Sequence, residues 1–384
     1  MKGVLSIALV MLLSSTVIMG GDTTVDSTVS GAPAPIVQTL EVEEKEVIGL
    51  DETDYITWYG RVVHDQDGSV GFNYASSGFE VKVRATSLTM KFGTVNYADA
   101  GSRNYVTVIV DNDYASAKKF GIEMDDKELT IKLDGNLHTV KVLKNTEARP
   151  VQLSLKSLSV NGTFAGVDAR PERFIEVYGD SITCGYGIID TDHYGNFSTD
   201  TEDALKTYAF LTVKELGADW SVMSRSGAAI KQNDWGSSDT IPNFMVRTGM
   251  YNYTPYENPR IPQVVVINAG TNDTTYILNG NTTQPTKQEK EDAYVAAYIR
   301  FIEDIRERYD GVKIFICNGM LRAESEMKPA LERVIEGAGG DDITYVSLPW
   351  MLNYDIGADG HPGANTHAAA ATVLTNAIKN KMGW

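Results

Sequence analysis

Residues 174–187 read Phe174-Ile-Glu-Val-Tyr-Gly-Asp-Ser-Ile-Thr-Cys-Gly-Tyr-Gly187, and with them the grammar of this 384-residue chain changes. A short apolar run, Phe174–Tyr178, ends in glycine, aspartate and serine. Four more short apolar runs follow, at Trp220–Met223, Gln263–Asn268, Lys313–Cys317 and Thr344–Leu348. Helical patterns lie between most of them. The clearest spans Glu289–Tyr309, with Tyr294, Tyr298, Phe301, Ile302, Ile305 and Tyr309 on one face. Short strands alternating with helices predict an α/β domain over residues 172–384, its parallel sheet covered on both sides. Such sheets bind ligands beyond the carboxyl ends of their strands, so the loops there are where chemistry is expected.

Upstream, from Ile56 to Val160, the period is two. Phe79, Val81, Val83 and Ala85 alternate with charged or polar residues, as do Leu88, Met90 and Phe92. Leu129, Ile131 and Leu133 continue the pattern, followed by His138, Val140 and Val142. Alternation with polar partners, broken by turns such as Asp134-Gly135-Asn136, predicts half-buried antiparallel strands. About nine short strands over residues 46–165 predict an all-β sandwich of jelly-roll type. Two domains fit a chain of this length.

The N-terminus has Lys2, an apolar stretch from Val4 to Leu13, and small residues around Gly20-Gly21. That is the pattern of a secretory signal peptide over residues 1–21, so a secreted, extracellular protein is expected. Ser14, Ser15 and Thr16 interrupt the run, which disfavours a membrane anchor. Residues 22–45 lack periodic apolar positions and read as a flexible linker. The net charge of −17 argues against nucleic acid or anionic lipid as a partner. Two cysteines, Cys184 and Cys317, exclude a disulfide framework and a cysteine-based zinc module. The five histidines show no paired metal spacing.

Four strand-end or late-loop elements carry candidate chemistry. Ser181 follows Gly179-Asp180 at a sharp turn; it is a nucleophile if a base takes its proton, and otherwise a capping loop serine. Gly227, in Ser224-Arg225-Ser226-Gly227, can point a bare N–H into a cleft or simply make a turn. Asn272, in Gly270-Thr271-Asn272-Asp273, can offer its amide to an oxyanion or form an Asx turn. His361, in Ala358-Asp359-Gly360-His361-Pro362, lies in a loop before an alanine-rich helix. His138 and His367 fall inside periodic patterns and read as packing. Cys184, three residues past Ser181, also reads as packing.

Each element is weak alone, but their order is not. Gly-Asp-Ser, glycine, Gly-Thr-Asn-Asp and Asp-Gly-His-Pro resemble the four blocks of the SGNH (GDSL) hydrolase superfamily, which has a flavodoxin-like parallel sheet. The stretch Val177–Gly187, and Gly135-Asn-Leu-His-Thr-Val-Lys-Val-Leu-Lys-Asn-Thr-Glu147 upstream, are similar to carbohydrate esterase family 2, a jelly roll followed by an SGNH domain. The Gly-x-Ser-x-Gly elbow of α/β-hydrolases is absent.

The resemblance implies a serine esterase that removes O-acetyl groups from plant polysaccharide such as xylan or glucomannan, without metal or organic cofactor. Ser181 would be the nucleophile and His361 the base. Asp359, two residues before the histidine, would orient it, with a backbone carbonyl as the alternative; Ala358 stands where the wider superfamily has aspartate. The Ser181 and Gly227 N–H groups and the Asn272 amide would form the oxyanion hole. Gly360 stands where the family often has an aromatic, so Trp235 or Trp350 is the candidate sugar platform, or else a core residue. Ala229 replaces a common second glycine. The rate is expected to rise as His361 deprotonates near its ordinary value of about 6.5. The alternatives are an SGNH esterase for lipid or peptidoglycan acetyl esters, or a non-catalytic carbohydrate-binding protein.

Overall fold

The alternation upstream of residue 170 produces an antiparallel β domain. Its strands are β1 (Ile56–Tyr59), β2 (Val62–His64), β3 (Val70–Phe72), β4 (Gly78–Gly93), β5 (Asn104–Val110), β6 (Lys118–Ile122), β7 (Lys127–Lys132), β8 (Leu137–Lys144) and β9 (Leu153–Ala165). They pair in the order β2-β3-β9-β4-β8-β5-β6, with β1 and β7 also on β4. The computed structural model describes residues 44–384 apart from 95–99, 149–151, 235, 237–239, 250–253, 279–284 and 322–323. The expected leader and nearly all of the expected linker lie outside the described residues. Lys45 does not belong to a linker: its backbone pairs with Phe164 of β9 (2.9 and 2.6 Å).

Two expected strands are one. Phe79–Ala85 and Leu88–Phe92 are successive parts of the 16-residue β4, which changes neighbours along its length. Residues 78–84 pair with β8, and residues 87–92 pair with β7. The buried apolar side chains are odd-numbered up to Ala85 and even-numbered from Leu88, and the pairing with β9 shifts register between those two residues. The phase slip in the sequence is therefore a bulge. Opposite it, Gly162 of β9 sits at φ 151, and a Cβ there would come within 2.1 Å of the Arg84 carbonyl oxygen.

The second half forms β10 (Phe174–Gly179), β11 (Asp219–Ser224), β12 (Val264–Asn268), β13 (Lys313–Met320) and β14 (Ile343–Trp350), all parallel. Their order, β11-β10-β12-β13-β14, is the flavodoxin-like one and matches the expected class. The helices are α1 (Ser181–Cys184), α2 (Tyr208–Glu215), α3 (Ile241–Met245), α4 (Thr271–Leu278), α5 (Lys287–Arg308), α6 (Glu324–Ala338) and α7 (Ala364–Met382). Successive strand residues face opposite ways. Val264 and Val266 pack with α2 and α7, while Val265 and Ile267 pack with α3, α5 and α6. Helix α5 starts at a capping box in which the Thr286 hydroxyl accepts from the Glu289 N–H (3.2 Å) and the Glu289 carboxylate accepts from the Thr286 N–H (2.7 Å).

The two halves share a core. Tyr59 stacks on Trp220 at 4.3 Å, and Ile109 and Leu143 of the β domain join the α2–α7 layer. Arg61 is fully buried. It donates through Nη1 to the Phe244, Met245 and Arg247 carbonyls (2.5, 3.0 and 2.7 Å), and its Nη2 faces Glu176 (3.4 Å) on β10.

His138 is not simply packing. Its Nδ1 and Nε2 lie 2.7 Å from the carboxylates of Asp111 and Asp134 respectively. Hydrogen bonds to Asp111 first, then Asp134, raise its pKa, while hydrogen bonding draws Asp134 down to about 2. A raised folded-state value contributes stability that is complete below the unfolded value of about 6.5 and declines as pH rises through the folded value. His138→Gln should therefore lower Tm most between about pH 5 and 6.5 and progressively less at alkaline pH, as scanning calorimetry would measure.

Candidate active site

The nucleophile candidate opens α1, one residue past Asp180. Asp180 caps this turn, its carboxylate accepting from the Ile182 N–H at 3.0 Å, and Gly185 ends it at φ 84. Burial pushes the Asp180 carboxyl up to about 7, against the hydrogen bonds it accepts from the Ile182 N–H and the Thr271 side chain. Ser181 is buried and its N–H, at the first turn of α1, has no intrahelical acceptor.

His361 arrives from 180 residues away, in the loop between β14 and α7. Its Nε2 is 2.9 Å from the Ser181 Oγ, and its Nδ1 is 3.2 Å from the Asp359 backbone carbonyl. A carbonyl oxygen carries no proton, so Nδ1 is the donor and Nε2 presents its lone pair to the serine hydroxyl. This corrects the expected role of the Asp359 side chain. Its carboxylate lies not at Nδ1 but 3.5 Å from the Tyr186 hydroxyl. Asp359 has φ 50 and ψ 37, and this left-handed turn brings its carbonyl back under the ring. Aspartate and asparagine tolerate that conformation; β-branched residues do not.

Two backbone bonds pin the turn: Asp359 N–H to the Gly195 carbonyl (2.9 Å) and Gly360 N–H to the His193 carbonyl (3.1 Å). Tyr186 stacks on the imidazole at 4.1 Å and 24°. The sequence reading missed Tyr186 as a site residue, although it lies inside the motif stretch. Burial lowers the His361 pKa below its ordinary value; the Asp359 carbonyl and the Asp359 charge oppose this less strongly. That corrects the expected midpoint near 6.5 downward.

Two of the oxyanion candidates, Gly227 and Asn272, are linked through one short loop. Gly227, at φ 76, follows β11, and its carbonyl accepts from the Asn233 amide at 2.7 Å. The Asn272 amide donates an N–H to the Ala228 carbonyl (2.8 Å), which ties it to the residue after Gly227. Asp273 accepts from three consecutive N–H groups, those of Ile230 (2.8 Å), Lys231 (2.8 Å) and Gln232 (3.0 Å). Burial pushes Asp273 up to about 6, against those bonds. So Asn-Asp serves two ends: Asn272 beside Gly227, and Asp273 as the clamp that holds the loop. Only the first was read from sequence.

Trp350 is 51% exposed at the end of β14, so it is not a core residue. Trp235 lies outside the described residues. Tyr194, between the two carbonyls that pin the His361 turn, is 84% exposed. Both cysteines are free and buried, with burial raising their pKa values, so neither is a thiolate candidate. His367 is buried, accepts from the Tyr208 N–H (3.1 Å), and is held neutral by burial, its pKa brought down to about 3.

A serine seated directly beyond a flavodoxin-like sheet, with its histidine delivered just before the last helix, defines a class of hydrolase distinct from the α/β-hydrolases. The family model for the GDSL-like Lipase/Acylhydrolase family matches residues 177–369, and that for the Carbohydrate esterase 2 N-terminal domain matches residues 58–165. The chain belongs to the GDSL-like lipase/acylhydrolases, and among them to carbohydrate esterase family 2. It is 30% identical over 300 residues to the cellulase/esterase CelE of Acetivibrio thermocellus, covering 74% of this chain but only 35% of that protein. It is 24% identical to an acetylxylan esterase / glucomannan deacetylase of Cellvibrio japonicus, over 86% of this chain and 90% of that one. A family two carbohydrate esterase from Clostridium thermocellum, solved in complex with cellohexaose, superposes with TM-score 0.75 at 26% identity, over 86% of this chain and 99% of that one.

Because only the neutral imidazole accepts a proton, activity should fall as pH drops through the lowered His361 value. The acid limb of a kcat/KM profile is expected below about pH 6.5; a midpoint above it would contradict the burial argument. The carbonyl at Nδ1 also separates two substitutions. Asp359→Asn keeps the left-handed turn and should leave kcat within about threefold. Asp359→Val cannot hold the turn and should lower kcat on the order of a hundredfold, because the imidazole loses its tautomer and aim.

Proposed function

We propose that this chain is a secreted carbohydrate esterase that removes O-acetyl groups from plant cell-wall polysaccharide, xylan or glucomannan, through an acetyl-serine intermediate. The observation that carries the reading is the 2.9 Å contact between the Ser181 Oγ and a His361 Nε2 whose lone pair is freed by the Nδ1 bond. The activities of the Cellvibrio japonicus and Acetivibrio thermocellus relatives support the substrate class, and the leader-like residues 1–21 support secretion.

In this mechanism His361 takes the Ser181 proton as Oγ bonds to the acetyl carbonyl carbon. The carbonyl oxygen becomes an anion facing the Ser181 and Gly227 N–H groups and the Asn272 amide. Collapse breaks the ester bond, and the departing sugar oxygen takes the proton from His361 Nε2 and leaves as the hydroxyl. Water then gives a proton to the same nitrogen and attacks the acetyl-serine, releasing acetate and restoring the hydroxyl. Trp350 and Tyr194 are two exposed aromatic side chains among the described residues on which a sugar ring could stack.

Acetate release from acetylated xylan, acetylated glucomannan and O-acetylated peptidoglycan tests the reading. Release from the plant polymers, abolished in Ser181→Ala, is the expected result. Release from peptidoglycan alone would overturn the substrate assignment, and release that persists in Ser181→Ala would overturn the acyl-enzyme route.

A further inference from the structure

Glu147 belongs to the β domain, just past β8, yet it is fully buried against the loops of the α/β domain. A buried carboxylate is costly unless its oxygens are hydrogen-bonded. One of its oxygens, Oε2, lies 2.6 Å from the Ser226 N–H and 3.6 Å from the Cys184 Sγ. Ser226 immediately precedes Gly227. Cys184 is the last residue of α1, whose first residue is Ser181. A single oxygen thus bridges the loop carrying an oxyanion donor and the turn carrying the nucleophile.

The segment that delivers this oxygen is tightly held. The Lys144 ammonium donates to the Thr146 carbonyl (2.8 Å), the Thr146 hydroxyl (3.0 Å) and the Glu147 carbonyl (2.5 Å). The Asn145 carbonyl accepts from the Ala204 N–H (3.0 Å), and its amide donates to Asp203 (2.8 Å). The Glu147 N–H donates to the Glu202 carboxyl at 3.3 Å. Asp273 clamps residues 230–232 of the oxyanion loop from the far side. Glu147 is the hold on its near side.

We propose that Glu147 is a positioning residue for the oxyanion hole: its Oε2 fixes the Ser226 N–H so that the next peptide, that of Gly227, meets the developing anion. The β domain thereby completes the active site. The inference rests on the proposed ester hydrolysis at Ser181, but part of its test does not. What matters is reach. Glu147→Asp keeps the carboxyl group and withdraws its oxygen by one methylene; Glu147→Gln keeps an oxygen at the same reach and replaces the carboxyl by an amide.

With 4-nitrophenyl acetate at pH 8, Glu147→Asp should lower kcat about tenfold with KM within about twofold, and Glu147→Gln should stay within about threefold of wild type. The inhibition constant of methylboronic acid, whose serine adduct is tetrahedral, should rise in Glu147→Asp in parallel with the kcat loss. Amide exchange over residues 224–229, followed by mass spectrometry, should quicken in Glu147→Asp and not in Glu147→Gln. The inference is overturned by wild-type turnover in Glu147→Asp, by a loss carried by KM, by the reverse ranking of the two variants, or by unchanged exchange. A wild-type protein that does not hydrolyse the ester would instead overturn the reading of Ser181, and the exchange arm would still decide the role of Glu147.

Discussion

The hydrogen bond from His361 Nδ1 to the Asp359 carbonyl is the contact on which the chemistry of this molecule depends. An imidazole has two nitrogens and, when neutral, one proton. Whichever nitrogen faces a carbonyl must carry that proton, so the other is left basic. The usual device for this is a buried carboxylate, which also stabilises the imidazolium by its charge. Here the orienting atom is a peptide oxygen, so most of the work is done by geometry. The left-handed turn at Asp359, tied down through Gly195 and His193, is what keeps that oxygen in place.

The flavodoxin-like sheet makes this economy possible. Parallel order brings the ends of β10, β11 and β12 side by side, so the Ser181 turn, the Gly227 loop and the start of α4 are neighbours before any side chain is considered. Buried carboxyls then refine what the topology has delivered. Asp180 caps the nucleophile turn, and Asp273 gathers three N–H groups of the oxyanion loop. Both are raised by burial and both are offset by the N–H groups they accept from, as expected where a carboxyl serves as a structural acceptor in a dry site.

Much of this was legible in the residues. The five apolar runs became the five parallel strands, and Ser181 meets His361 across 180 residues of chain. What could not be read was anything set by backbone conformation or by contacts between distant segments. Nothing in the tripeptide Asp359-Gly360-His361 says whether a carboxylate or a carbonyl will meet the ring, because φ at Asp359 decides it. His138 follows strand periodicity, and only the fold brings Asp111 across from it. The two apolar runs either side of residue 86 belong to one bent strand, and the odd-to-even slip between Ala85 and Leu88 is the sequence mark of its bulge. Tyr186 and Glu147 lay inside the quoted motifs, but their roles arise from loops that the chain delivers from elsewhere.

Arg61 shows what the division into two halves means physically. It leaves the β domain at the turn after β1 and ends, fully buried, against three carbonyls and Glu176 of the other half. Severing the halves would leave the Glu176 carboxyl to Tyr178 and Asn258 and take the guanidinium away from three peptide oxygens, a cost greater than that of exposing an apolar seam alone. Although sequence grammar punctuates the chain near residue 170, this one guanidinium ties the two parts into a single packed body, so neither part expressed alone would keep its polar groups satisfied.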